Sequence, residues 1–272
     1  MDRIKNALTI DVEDYFQAFE MRKIRVDEAK RAYQDKGTEK ILDILKRQNI
    51  KATFFINGTF AEKNKDLVKK IDECGHEIGI HSYTHQKINE LSLSEFSEEI
   101  RKTKEIIERI IHKKVLGYRA PAFSFDENEP EYTKILIDHG LLYDSSTNPI
   151  AKAFHGRPGY KHFIHRISYE EKSLTEFPLA TLPIMGHRLP WAGGLYLRIF
   201  PYSVFKRGLK YINKTSNPAV LYIHNWELDP EQPRIPCKPV LHFIHYYGLS
   251  RTKKKFDKLT KDFRFAPLKD FL

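Results

Sequence analysis

The sequence predicts an α/β barrel, and three observations carry that prediction. Short β-rich runs alternate with helical patterns along a chain of 272 residues, a length within the range of single (β/α) barrels, which reach about 250 residues or more. About seven runs read as strands, most of them separated by helices, and right-handed crossovers then allow either an open parallel sheet or a closed barrel. Asp11, His81, Arg119, Asp144 and His224 each stand where an apolar strand run ends. A barrel gathers its carboxyl strand ends on one face that carries the chemistry, whereas an open sheet sets them out in a line. The barrel is therefore favoured, as one domain over residues 1–272 with the stretch 230–272 packed on it as an extension.

The first strand is Ala7 to Asp11, followed after a long connection by a helix at Thr38 to Gln48. A strand at Lys51 to Ile56, a helix around Phe60 to Glu73 and a strand at His76 to Ile80 come next. The clearest helix runs from Leu93 to His112. Ser92 and Glu95 form a capping box at its start, and Phe96, Ile100, Thr103, Ile107 and Ile110/Ile111 make its buried face. Further strands are expected at Val115 to Arg119, Leu141 to Asp144, Thr175 to Pro178 and Ala219 to His224, with helices at Glu131 to His139 and Tyr202 to Asn213. The polar stretch from Asn148 to Lys172 reads as an excursion over the barrel mouth. Pro190 to Tyr196 reads as a loop whose glycines permit close backbone approach. The basic run Arg251 to Lys255 falls in an amphipathic helix with Phe256, Leu259 and Phe263 on its apolar side, and reads as a solvated helix face.

Composition removes several function classes. Hydrophobic residues make up 41% and charged residues 30%, which is ordinary for a globular protein and not for a disordered one. No run approaches the ~18 apolar residues of a membrane helix. The start shows no apolar signal region, and Cys74 and Cys237 cannot form a disulfide framework, so a cytoplasmic setting is expected. The net charge of +10 suits an anionic membrane surface or acidic glycan, and suggests peripheral association with the inner face of a membrane. No zinc finger or glycine-aromatic RNA-binding pattern accompanies it, so nucleic acid is not expected as a partner. Oligomeric state is not legible.

His81-Ser-Tyr-Thr-His85 sets two imidazoles four residues apart just beyond a strand, the spacing of a chelating pair; two histidines capping a loop would look the same. Asp11-Val-Glu-Asp14 crowds three carboxylates that repel unless a cation or an Arg neutralises them, although Asp is also a good helix cap. Alternation puts Asp11 and Glu13 on one face, with Asp14 beginning the turn. In Arg119-Ala-Pro-Ala-Phe123, proline stiffens the backbone and Arg offers a bidentate clamp for a carboxylate such as Asp11. His224 ends the last strand, and Asp144 is the partner expected to orient it and raise its pKa.

These segments resemble the ordered motif series of the polysaccharide deacetylases, carbohydrate esterase family 4: Thr9-Ile-Asp11, His81-x-x-x-His85, Arg119-x-Pro121, Asp144 and His224. Asp11-Val-Glu-Asp14-Tyr-Phe, Arg119-Ala-Pro-Ala-Phe-Ser124, Gly193-Gly-Leu-Tyr-Leu-Arg198, His224-Asn-Trp-Glu-Leu-Asp-Pro230 and His245-Tyr-Tyr-Gly-Leu249 resemble a subgroup linked to exosortase exopolysaccharide loci. The resemblance implies a distorted seven-stranded (β/α) barrel and metal-dependent removal of N-acetyl groups from amino sugars, with an N-acetylated glycan as substrate. It makes Asp11 the catalytic base, His81 and His85 metal ligands, Arg119 the residue orienting Asp11, and His224 the acid tuned by Asp144. The common pattern has a second adjacent aspartate as ligand. Val12 stands there instead, so the third ligand falls to Glu13 or Asp14, with Asp14 favoured as the shorter side chain at the turn.

Zn²⁺ is the expected metal, since two imidazoles and a carboxylate suit it, although cobalt, nickel or manganese fit the same donors. In the implied reaction the metal acidifies a water and polarises the acetyl carbonyl, aided by a backbone N–H near Ala122. Pro121, Ala122 and Phe123 would line the substrate site, and Trp191, Tyr196 and Trp226 offer flat faces for sugar rings, or else pack under loops. The departure at Val12 keeps open an amidohydrolase for a small cyclic amide or ureide, and a catalytically silent glycan-binding protein is the reading from a different class.

Overall fold

The structure is a computed structural model and describes residues 4–18, 21, 23–150, 159–214 and 217–272. Eleven strands are present among them: β1 Lys5–Val12, β2 Thr53–Ile56, β3 Glu77–Ile80, β4 Gly117–Tyr118, β5 Tyr143–Asp144, β6 His165–Tyr169, β7 Lys172–Glu176, β8 Thr181–Ile184, β9 His187–Pro190, β10 Val220–His224 and β11 Arg264–Ala266. The order β10-β1-β2-β3-β4-β5-β7 is parallel throughout, giving the seven strands of a distorted (β/α) barrel. All of β2 and all of β1 beyond Lys5 are buried, as expected for strands covered on both faces. The distortion lies at the seam between β7 and β10. Among the described residues no ladder joins these strands; β10 is instead bonded to the residues on either side of the β8–β9 hairpin, Ala180 N donating to the Val220 carbonyl and Tyr222 N to the Ala192 carbonyl, both at 3.0 Å.

Parallel register sets the carboxyl ends side by side. Asp11 is level with His224, Tyr118 with Asp144, and Asp144 with Glu176, while His81 and Arg119 directly follow β3 and β4. The helix Leu93–Ile111 starts on the expected capping box and ends at His112 in the left-handed conformation, burying Phe96, Ile100, Thr103, Ile107 and Ile111. The helix expected around Phe60 to Glu73 is two, Gly58–Lys63 and Lys65–Glu73. The break is at Asn64, whose side chain donates to the Phe60 carbonyl.

The second half departs further from expectation. The excursion from Asn148 to Lys172 contains β6, which pairs antiparallel with β7; residues 151–158 of it lie outside the described residues. An unanticipated hairpin, β8–β9, precedes the helix Gly194–Ile199, which takes up part of the expected Pro190–Tyr196 loop. The 230–272 stretch is more than a covering. β11 pairs parallel with β1, and the amides of Leu268 and Lys269 donate to Thr53 and Glu77 at the amino ends of β2 and β3. Nor is the basic helix, Leu249–Asp262, a uniformly solvated face. Lys255 Nζ donates to the carbonyls of Leu197, Arg198 and Phe200 at 2.7–2.9 Å, capping the end of Gly194–Ile199.

Candidate active site

The barrel mouth opens into a cavity of about 200 Å³ whose walls include Asp11, Glu13, His81, His85, Ala122, Phe123, Tyr196 and His224. Asp11 comes from β1 and is held by Arg119, whose Nη1 stands 2.8 Å from its Oδ1 and 2.7 Å from Thr9 Oγ1. The remaining donors of Arg119 go to Ser145, Nε to its carbonyl at 2.8 Å and Nη2 to its hydroxyl at 2.7 Å. Fully buried, this guanidinium ties β1, β4 and the turn after β5 together and fixes the carboxylate in one orientation.

His81 Nδ1 lies 2.8 Å from the Arg119 carbonyl, which selects the tautomer whose Nε2 lone pair faces the cavity. Burial lowers its pKa to about 4, so the ring is neutral, as a ligand must be. The loop to His85 is held by one carboxylate. Glu99, on the helix Leu93–Ile111, accepts from Ser82 Oγ, Tyr83 N, Thr84 N and Thr84 Oγ1 at 2.6–2.9 Å. Ser82 and His85 take left-handed φ angles of 61° and 63° there, a conformation those four bonds stabilise. Glu99 was not legible as a site residue, because its partners lie on a different element.

Glu13 completes the group. The Nε2 atoms of His81 and His85 are 3.2 Å apart, and Glu13 Oε2 lies 2.6 Å from His85 Nε2 and 3.9 Å from His81 Nε2. Although buried, Glu13 Oε2 makes no hydrogen bond of good geometry. Burial by itself would raise the Glu13 pKa, yet His85, His224 and His81 hold it well below the usual carboxylate range. Three ligand atoms converging within 4.8 Å, one of them an orphaned anionic oxygen, fit a divalent cation. The preference for Asp14 is thereby corrected. The chain enters a 3-10 turn, Tyr15–Gln17, directly after Asp14, and that side chain points out to Lys63 Nζ at 3.3 Å. Glu13, the longer of the two, reaches inward.

His224 faces this group across the cavity, with Nε2 3.9 Å from Glu13 Oε1. Its Nδ1 pairs with Glu227 Oε1 at 3.0 Å, and Glu227 Oε2 accepts from Arg198 Nε at 2.6 Å. Arg198 is anchored in turn by the carbonyls of Ile244, His245 and Tyr247 at 2.8–2.9 Å. Burial alone would lower the His224 pKa; Glu227, Glu13 and Asp11 reverse this and raise it to about 9. Glu227, opposed by burial, is lowered to about 2 by Arg198 and His224. A Cβ on Gly194 would fall 2.1 Å from Glu227 Oε1, so the expected close backbone approach is real at that glycine.

The partner expected for His224 is therefore corrected from Asp144 to Glu227. Asp144 accepts from Ser146 Oγ at 2.6 Å, and that hydroxyl accepts from Ala120 N at 2.7 Å, bracing the turn Pro121–Phe123. Beside Asp144 stands Glu176, whose Oε1 accepts from Thr147 N at 2.8 Å. Burial pushes the pKa of both carboxyls up, and each raises the cost of ionising the other. Glu227 and Arg198 stood in motifs of the resemblance, His224-Asn-Trp-Glu-Leu-Asp-Pro230 and Gly193-Gly-Leu-Tyr-Leu-Arg198, without a role assigned; for Glu176 there was no signal.

The sugar-platform expectations also change. Trp191 is buried between Phe200 and Phe205, at ring separations of 5.0 and 5.8 Å, and is not part of the cavity wall. Trp226 reaches the wall as a buried ring between His224 and His245, and its Nε1 donates to Glu13 Oε1 at 3.0 Å. It orients the carboxylate ligand. Asn225 Oδ1 accepts from the Glu13 amide at 3.2 Å, supporting the same residue from the backbone side. Tyr196 lines the cavity as expected. Pro121 is buried behind the wall, which is formed by Ala122 and Phe123 at left-handed φ angles of 53° and 54°.

Comparison with known proteins agrees with this geometry. Residues 24–140 match the polysaccharide deacetylase family, and residues 145–272 match a domain of unknown function, DUF3473. A peptidoglycan-N-acetylglucosamine deacetylase of Bacillus cereus is 43% identical over 99 residues, 36% of this chain and 32% of that protein. The chain spans about a third of the length of the curated relatives it matches. A crystal structure from Mycobacterium smegmatis, assigned to the polysaccharide deacetylases, covers 100% of this chain and 90% of its own, at TM-score 0.67 and 17% identity. A CE4 family pseudoenzyme from Bacillus anthracis covers 99% and 67%, at TM-score 0.54 and 18% identity. The fold is thus shared with a protein described as a pseudoenzyme, so the residues in the cavity, and not the fold, decide what it does. Residues 24–140 are thus similar to the polysaccharide deacetylase family, and the barrel that completes them has the fold of the M. smegmatis structure.

Proposed function

We propose that the protein is a metal-dependent hydrolase that removes N-acetyl groups from an amino-sugar glycan. One observation carries this reading: an Arg-held carboxylate, a Glu/His/His group and a histidine of raised pKa meet on one cavity. Glu13, His81 and His85 would hold the cation, for which Zn²⁺ is the first choice from the donor set. When bound, the cation supplies Lewis-acid polarisation of the acyl oxygen and makes water more acidic. Asp11, oriented by Arg119, accepts the proton of the attacking water. His224, held protonated by Glu227, donates a proton to the departing amine. Phe123, Tyr196 and Tyr222 enclose the reacting group and limit water around it.

The intact base and acid favour this reading over a silent binder, and the Glu13, His81 and His85 group supports a metal site despite Val12. The motif resemblance to the exosortase-linked subgroup narrows the proposed glycan to an exopolysaccharide or its precursor. Acetate release from N-acetylglucosamine oligosaccharides tests the proposal. Turnover is expected with zinc added, falling by a factor of about 10² or more in Asp11→Asn while metal content is kept. Sugar binding without acetate release at full metal occupancy would sink the hydrolase and leave the binder.

A further inference from the structure

Residues 177–226 contain neither Asp nor Glu, in a chain where those two make up 36 of 272 residues. The same stretch carries Arg188, Arg198, Lys206, Arg207, Lys210 and Lys214. Arg198 is consumed by Glu227 and Lys206 pairs with Asp262 at 2.8 Å. Among the described residues no ion pair engages Arg188, Arg207, Lys210 or Lys214. Apolar side chains are exposed between these cations. In the β8–β9 hairpin they are Ile184, Met185 and Leu189; on the helix Tyr202–Asn213 they are Val204 and Tyr211, which share a face with Arg207 by helical spacing.

The hairpin tip is the least economical part of this surface. Met185 and Gly186 form its two-residue turn at φ 48° and 78°, positions where Asn-Gly is the usual choice. Met185 accepts the left-handed conformation and is 94% exposed, so neither local propensity nor packing explains it. The hairpin is also fixed to the helix. Trp191, one residue beyond β9, stacks on Phe205, donates from Nε1 to its carbonyl at 3.1 Å, and lies where a Cβ on Gly208 would fall. Two apolar projections and their cations therefore move as one body. Pro190, the last residue of β9, lines the cavity.

We infer that this face, the β8–β9 hairpin with the helix Tyr202–Asn213, docks the protein on the surface of an anionic lipid bilayer. A bilayer answers both properties at once, since its headgroups attract the unpaired cations and its interface takes up Met185 and Ile184. A soluble acidic polymer would leave the apolar tip in water. A second copy would bring two cationic faces together with only Asp262, already paired with Lys206, to offset them. Docking holds the cavity wall at Pro190 close to the lipid surface. The inference stands independently of the hydrolase reading.

The test is sedimentation of the chain with vesicles of phosphatidylglycerol and phosphatidylcholine, and in parallel with phosphatidylcholine alone. Binding is expected to the first and not the second. It should fall more than about tenfold in Arg207→Glu/Lys210→Glu and in Ile184→Glu/Met185→Glu. Lys253→Glu/Lys254→Glu changes the net charge as much as the first variant, on exposed residues of another helix, and should retain most of the binding. Equal loss in both charge-matched variants, or no vesicle binding by the parent chain, overturns the inference. So does unchanged binding of Ile184→Glu/Met185→Glu, which would mean attraction to any polyanion, or concentration-dependent self-association that this variant abolishes. Circular dichroism and acetate release of each variant report whether the fold is kept.

Discussion

The two halves of the chain equip the same cavity in different ways. Up to Arg119, the functional groups stand at or just past strand ends and come in short runs: Asp11 with Glu13, and His81 with His85. The half after Asp144 contributes one reacting group, His224, and spends Glu227, Arg198, Asn225 and Trp226 on holding it and Glu13 in position. The boundary between the two family matches is accordingly not a boundary in the fold. β10 and β11, both from the second half, pair with β1 from the first. A motif makes a site only when distant chain supplies its supports, and here the region of unknown function supplies most of them.

The sharpest way to break this comparison is at the ligands. Glu13→Ala should weaken zinc binding more than about a hundredfold, beyond the ~10–100-fold cost of disturbing a ligand's neighbour. Asp14→Ala, at the Lys63 contact, should leave it within about twofold, since an exposed ion pair contributes little. Competition titration against a chelating dye reads both, and the reverse order would restore Asp14 as ligand. The support from the second half comes next. Trp226→Phe keeps the stacked ring but removes the donor to Glu13, and should weaken zinc by about tenfold or more at unchanged fold. Wild-type affinity in that variant would reduce the second half to a wall.

Glu227→Gln tests the acid. Taking away the negative charge beside His224 lowers its pKa, so the protonated donor is lost at lower pH and the alkaline limb of kcat should move down. An unmoved limb would assign that titration to another group. The smallest effect concerns the Asp144–Glu176 pair between β5 and β7. Burial raises both carboxyls, so the folded chain holds a proton that the unfolded chain releases, and stability falls as pH rises past the ordinary carboxylate range. Glu176→Gln should shrink the difference in urea midpoint between pH 5 and pH 8. An unchanged difference would mean that the pair does not set it.

Much of the first half was legible because its signals are local. Capping at Ser92 and Glu95, the His81–His85 spacing and apolar runs ending in charged residues each involve neighbours in sequence. The errors fall where packing decides which of several nearby side chains meets a group. Asp144 and His224 both end strands, yet the partner of His224 is three residues away in its own turn, and that of Asp144 lies on β7. Trp191 and Trp226 both looked like exposed mouth-loop rings, but one packs under a helix and the other donates to Glu13.

By itself, the sequence determined the parallel barrel and most of the residues that line the cavity, because hydrophobic periodicity and short motifs depend on residues a few positions apart. Tertiary structure alone decided that Glu13 and not Asp14 turns inward, that Glu227 and Arg198 hold His224, and that the β8–β9 hairpin and the helix Tyr202–Asn213 form one face. Those outcomes depend on register, on where a turn begins and on which buried group lacks a partner. Each is set by chain more than a hundred residues distant or by packing, neither of which leaves a periodic trace in the sequence.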